Sequence, residues 1–372
     1  METKKFIDIL EIYNGKNQKS VENPDGKYPI YGSGGVMGRA DEYICPAETV
    51  VIGRKGSINN PIFVTEPFWN VDTAFGLVAR KEVLLPKYLF YFCRYFDFEK
   101  LNTTVTIPSL TKANLLKIEI PIPSIIEQKS IVTKLNLLTD MIQQRQEQLT
   151  KLDELIKARF VEMFGDPISN PFGFKVKTLQ KMIDDGTIMY HLDGNHGSDY
   201  PRNEEFVECG VPYISANCIV HNDVNLKLAK HLTEERASKL RKGIAQNGDV
   251  LFAHNATVGP VAILYTDDEK VILGTSLTAY RCDKERMVPD YLKAYMQSEG
   301  FVRQYTKDMK QTTRNQVPIT AQRKFLFVIP PLSLQNQFAD FAAEVDKSKV
   351  EVQKALDQTQ LLFDSLMQQY FG

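Results

Sequence analysis

Apolar positions follow two alternating regimes along the chain. The first is strand-like: short β-branched and aromatic runs at 49–52, 62–65, 250–252 and 261–265, broken by Gly, Asn and Pro. A short aromatic helix is predicted after each of Pro86-Lys87-Tyr88-Leu89 and Pro289-Asp290-Tyr291-Leu292. The second regime is helical. Ile131, Leu135, Leu138, Ile142, Arg145, Leu149, Leu152 and Ile156 recur at alternating spacings of four and three, and seven of these eight are apolar. That is a heptad seam, on a helix of about 126–163 that would run roughly 57 Å. The spacing recurs 207 residues on, at Phe338, Ala342, Val345, Lys349, Val352, Leu356, Thr359 and Phe363, with six of eight apolar. Gly165-Asp166-Pro167 stops the first helix, and Asn170-Pro171-Phe172-Gly173 opens the next strand-rich stretch.

These regimes are two copies of one unit. Val50-Val51-Ile52 and Arg54-Lys55-Gly56-Ser57-Ile58 align with Val250-Leu251-Phe252 and His254-Asn255-Ala256-Thr257-Val258 at an offset of 200. Pro86 aligns with Pro289 at 203, Ile120-Pro121-Ile122-Pro123 with Val328-Ile329-Pro330-Pro331 at 208, and Phe164-Gly165 with Phe371-Gly372 at 207. Conserved order with slowly drifting offset is what loop insertions in a duplication produce. The expected fold class is α+β: two mixed α/β domains in tandem repeat (1–124 and 166–331), each followed by a long helix (125–165 and 332–372). The two helices should pack as an antiparallel coiled coil.

Composition narrows the class. With 43% hydrophobic and 24% charged residues, the 372-residue chain is globular in composition, and it has no run of about 18 apolar residues. Its start lacks a signal peptide's apolar stretch, so a cytoplasmic location is expected, with no membrane partner. Five scattered cysteines without a CxxC suit reduced thiols. Cys209, Cys218 and His221 lack a fourth zinc ligand, so no metal is expected. Net charge is −1, but cations cluster at Arg303, Lys307, Lys310, Arg314, Arg323 and Lys324, and again at Arg236, Lys239, Arg241 and Lys242. Such local basic faces can hold phosphates on a neutral body.

The tandem arrangement resembles the specificity subunit of type I restriction-modification enzymes. The similarity extends to Tyr28-Pro29-Ile30-Tyr31-Gly32-Ser33-Gly34-Gly35 followed by 51–57 in the first half. In the second half it covers Asp193-Gly194-Asn195-His196-Gly197, Pro212-Tyr213-Ile214-Ser215-Ala216-Asn217, 248–259 and 312–318. The resemblance implies two target-recognition domains, each reading one half of a split double-stranded DNA target, with helices that space them and dock two modification (methyltransferase) subunits. Restriction (motor-nuclease) subunits would join the larger complex. S-adenosylmethionine, Mg and ATP would belong to those partners, leaving this chain without cofactor or catalytic residue.

Direct reading needs donors and acceptors that reach base edges. The candidates are Tyr31, Ser33, Arg54, Lys55, Ser57 and Asn59 in the first domain. In the second they are His196, Asn217, His254, Asn255, Thr257, Thr312, Thr313, Arg314 and Asn315. Catalytic alternatives fail on their own residues. Gly32-Ser33-Gly34 and Asn60-Pro61-Ile62-Phe63 lie too close together for a methyltransferase, and there is no GxxxxGK loop. Asp268-x-Lys270 lacks the acidic partner of a nuclease. His191 to Asp199 holds two histidines and two aspartates, yet Gly194 and Gly197 read as a loop bringing backbone close to a duplex. A coiled-coil scaffold with protein-binding ends, and a reader in a methylation-only system, are the competing readings.

Overall fold

The computed structural model describes residues 2–102, 109–309 and 315–372. Contacts divide the chain into two units, 1–148 with 352–372, and 149–351. In the first unit, β1 (Leu10–Asn14), β2 (Thr49–Gly53), β3 (Ile62–Val64) and β4 (Ala74–Ala79) form an antiparallel sheet in the order β1-β4-β2-β3. Helix α1 (Pro86–Tyr95) starts with proline at a position that needs no amide donor. It leads on to α2 (Ile125–Phe164), whose first 24 residues belong to this unit.

The second unit repeats the design. Strands β5 (Ile188–Asp193), β6 (Val250–Asn255), β7 (Thr257–Ile263) and β8 (Leu277–Cys282) pair antiparallel in the order β5-β8-β6-β7, the same topology. Helix α3 (Pro289–Gln297) and the 40-residue α4 (Leu332–Phe371) follow. A smaller sheet accompanies each, built on a parallel pair: Ile30 with Trp69 in one, Tyr213 with Ile272 in the other.

The repeat extends to single hydrogen bonds. Buried Gln128, in the first turn of α2, accepts from the Leu85 amide and donates to the Val83 and Pro123 carbonyls. Gln335, in the first turn of α4, accepts from the Val288 amide and donates to Pro330. Tyr88 donates to Pro121 at 3.0 Å, and Tyr291 to Val328 at 2.7 Å. Each glutamine ties the start of a long helix to the residue before the Pro-x-Tyr-Leu helix, so helix and sheet domain are set as one piece.

Each unit holds an antiparallel pair of helical segments, one from α2 and one from α4. In the first, Ile131, Leu135 and Leu138 share a core with Phe363, Met367 and Phe371, and the Phe371 ring meets Tyr88 at 5.1 Å. In the second, Phe160 and Phe164 pack on Phe338, and Phe164 meets Tyr291 at 4.8 Å. All the apolar seam positions are buried or half-buried. The two long polar intrusions are satisfied locally: Arg145 donates to the Ala355 carbonyl, and Lys349 pairs with Asp153 at 2.8 Å.

Candidate nucleic-acid interface

Antiparallel register gathers the candidate loops at one end of each sheet. Asn14 and Gly53 close β1 and β2 opposite Phe75 and Ala74, where β4 begins. The 54–57 loop therefore meets the 71–73 turn, with the Arg54 amide donating to Thr73 at 2.8 Å. The Val71 amide donates to the Tyr31 carbonyl at 3.0 Å and brings in the smaller sheet. A Cβ at Gly53 would lie 2.2 Å from the Ser57 carbonyl oxygen and 3.0 Å from the Ser33 Cβ, so only glycine allows that closure. Arg54, Lys55 and Ser57 are exposed there, with Ser33 and Tyr31 half-buried. The Arg54 guanidinium lies 5.8 Å above the Phe75 ring, and burial pushes the Tyr31 phenol above its ordinary value, keeping it a neutral donor.

Asn59 has partners within the chain. Its Nδ2 donates to Asp97 at 2.9 Å and its Oδ1 accepts from the Phe98 amide at 2.7 Å. Both ends of the amide are held by the chain itself, so this exposed side chain also ties the loop to the start of the 98–101 turn.

The second unit gathers its loops alike, since Asp193 faces Thr278 and Ala253 faces Leu277. The hairpin Asn255-Ala256-Thr257 joins β6 to β7, with Ala256 at φ 63°, a left-handed conformation that costs a Cβ-bearing residue strain. Gly56 takes φ 77° at the matching place. The Ala256 amide donates to the Asn315 carbonyl at 3.0 Å, and Asn255 bridges Gln316. Two candidate loops that are 60 residues apart in sequence thus become one surface. In the first unit Lys55 bridges Ser109 in the same way. The Ala216 amide donates to Ser276 Oγ at 2.8 Å, carrying exposed Asn217 to this end, and exposed His196 contacts Asp193 at 2.8 Å. Thr257 is exposed and Asn255 half-buried. Thr312, Thr313 and Arg314 lie outside the described residues.

His254 is corrected: it has no exposed surface, and its Nδ1 donates to the Val317 carbonyl at 3.1 Å. It faces inward at the end of β6, so it cannot reach a base edge. Gly194 is corrected as well. A Cβ there would lie 2.2 Å from the Gly274 carbonyl oxygen, so the close approach is to the chain's own backbone. The basic cluster at 236–242 is partly neutralised, Arg236 pairing with Glu205 at 2.5 Å and Lys239 with Glu235 at 2.7 Å. Arg241 and Lys242 remain exposed. Asp268 accepts from Thr266, and Lys270 pairs with Glu234 at 3.1 Å. Among the described residues no His, Cys, Asp and Glu group could hold a metal, and no helix is long and apolar enough to cross a membrane.

One element escaped sequence reading. Ser109 bridges Lys55 as Gln316 bridges Asn255, and the sequence signal for that match was Thr103-Thr104, repeated as Thr312-Thr313 at an offset of 209.

Known proteins carry the same pattern. Residues 1–152 match the family model described as the type I restriction modification DNA specificity domain. Over 374 aligned residues the chain is 21% identical to the type I restriction enzyme MjaVIII specificity subunit of Methanocaldococcus jannaschii, covering 94% of this chain and 88% of that one. The crystal structure of a type I restriction-modification S subunit from M. genitalium superposes with a TM-score of 0.61 at 16% identity, covering 100% of this chain and 96% of that one. A chain from a structural study of assembly and conformational transition in the type I R-M system gives 0.56 at 15% identity, covering 99% and 97%.

Proposed function

Given a chain that resembles type I specificity subunits along its length and carries their DNA specificity domain over residues 1–152, we propose that it is the DNA-reading subunit of a type I restriction-modification complex. Each unit reads one half of a bipartite duplex target with the loops at its sheet end. The chain contributes no catalytic step. Modification subunits supply methyl transfer with S-adenosylmethionine, and restriction subunits supply Mg- and ATP-dependent cleavage. The observation that carries this reading is the repeated sheet end bearing different side chains. Exposed Lys55 and Ser57 lie in one unit where half-buried Asn255 and exposed Thr257 lie in the other, on the same strand register, and exposed Arg54 has no counterpart at the surface. One frame with two chemistries suits two readers of different sequences. Exposed apolar residues on the long helices, among them Ile126, Leu137, Val161 and Leu361, support docking of the modification subunits there.

The test is methylation mapping of DNA modified by the chain together with its modification subunits. The expected product is methylated adenine within two short sequences separated by an unspecified spacer. A single uninterrupted motif would overturn the two-reader proposal. Binding should also weaken steeply with salt, as phosphate contacts require, and the purified chain alone should neither methylate nor cut.

A further inference from the structure

The second unit encloses a polar network where the first, among the described residues, has an apolar core. Gln322, fully buried, uses its amide on both sides: Oε1 accepts from Tyr280 at 2.6 Å and His191 Nε2 at 3.2 Å, and Nε2 donates to Thr278 Oγ1 at 3.1 Å and the Val317 carbonyl at 3.0 Å. The same carbonyl accepts from His254 Nδ1, and the Val317 amide donates back to the His254 carbonyl at 2.8 Å. A carbonyl or amide oxygen can only accept, so His254 carries its proton on Nδ1 and His191 on Nε2. His254 Nε2 and His191 Nδ1 are thereby left as buried acceptors without a partner among the described residues.

The frame does not demand this polarity. Strand register places Ile12, Leu77 and Phe75 in the first unit where the second has His191, Tyr280 and Thr278. Leu115 ends the helical turn Lys112–Leu115 where Gln322 ends the turn Ile319–Gln322. Ile12, Phe75, Leu77 and Leu115 all lie in one apolar core. The same fold therefore closes with hydrocarbon, and a network containing two orphaned nitrogens brings no stability that this core lacks. What the network touches is Val317, two residues beyond Asn315 and next to Gln316, which bridges Asn255 in the hairpin of β6 and β7.

We propose that the His254–Val317–Gln322 clasp is a positioning device that sets the second unit's reading surface. By fixing Asn315 and Gln316 against Asn255 and Thr257, it controls discrimination at one half-site only. The inference rests on the DNA reading proposed above, and it makes His254 a positioning residue that touches no base.

Two near-isosteric changes separate positioning from direct contact. His254→Asn keeps a donor near the Nδ1 position and nothing at Nε2, whereas His254→Gln does the reverse. The full chain, copurified with its modification subunits, is tested on duplexes carrying the mapped target and on duplexes with either half or both halves scrambled. His254→Asn should keep the wild-type preference for the second half-site within about threefold, and His254→Gln should lose about tenfold or more. Both should keep wild-type preference for the first half-site. The opposite ranking would show that Nε2 reads DNA and would overturn the inference alone. Equal binding of the wild-type chain to intact and doubly scrambled duplexes would overturn the DNA reading, and this inference with it. The quadruple change His191→Ile, Thr278→Phe, Tyr280→Leu and Gln322→Leu installs the first unit's residues. A retained melting transition with lost second-half preference supports the proposal. A retained preference, or failure to fold, overturns the claim that this polarity serves reading and not the frame.

Discussion

At position 54 a guanidinium lies exposed above the Phe75 ring, and at the matching position 254 an imidazole is enclosed beneath its hairpin. Residues that align in sequence therefore need not do the same work. Arg54→Ala should weaken specific binding by ~1–3 kcal/mol and relax one base position if the guanidinium meets a base edge. Equal loss on every sequence would assign it to phosphate, and unchanged affinity would remove it from the interface. His191 offers a pH test of the buried network. Burial, its main cause, pushes the imidazole's pKa down to about 4, so between that value and about 6.5 the unfolded chain binds the proton and the folded chain does not. His191's contribution is therefore complete above about pH 6.5 and is lost as pH falls towards 4, by up to about 3 kcal/mol. Chemical denaturation at pH 7 and 4.5 should show this loss, and His191→Gln should flatten it. An identical slope in both proteins would show that other groups titrate.

At the scale of elements, each long helix serves two units, and its apolar seam says little about which domain it supports. Phe371 ends α4, the helix that starts in the second unit, yet its ring packs on Tyr88, Phe92 and Tyr95 of the first unit. Phe371→Ala should destabilise that unit by ~3–5 kcal/mol, the cost of a large cavity in an aromatic core. Thermal unfolding should show an earlier transition in the variant, with amide exchange accelerated in β1, β2 and β4. Exchange confined to the second unit would contradict the packing.

At the scale of the whole molecule, duplication makes the reading modular. Exchanging residues 1–124 with the corresponding domain of a relative should change one half of the mapped target and leave the other half intact. Simultaneous change in both halves would sink the assignment of one unit to each half-site. The exchanged segment must also accept Phe363, Met367 and Phe371 into its core, because the first unit is completed by the end of α4. Swaps that alter Tyr88 or Phe92 should therefore lose stability before they lose specificity.

Periodicity was sufficient for the repeat, the two long helices and the placement of their seam, because those features depend on local spacing of apolar side chains. The strand runs at 49–52 and 250–252 were legible for the same reason. Three features depended on strand register and chain path instead. One is that the 254–257 and 315–316 loops form a single surface. Another is that His254 turns inward while Asn59, still exposed, bonds Asp97 and the Phe98 amide. The third is that the end of the second helix completes the first unit. A polar residue at a loop has the same letter whether its polar atoms are left to solvent or bonded by its own fold. Only the partners brought to it by tertiary pairing, Asp97 for Asn59 and Val317 for His254, decide which.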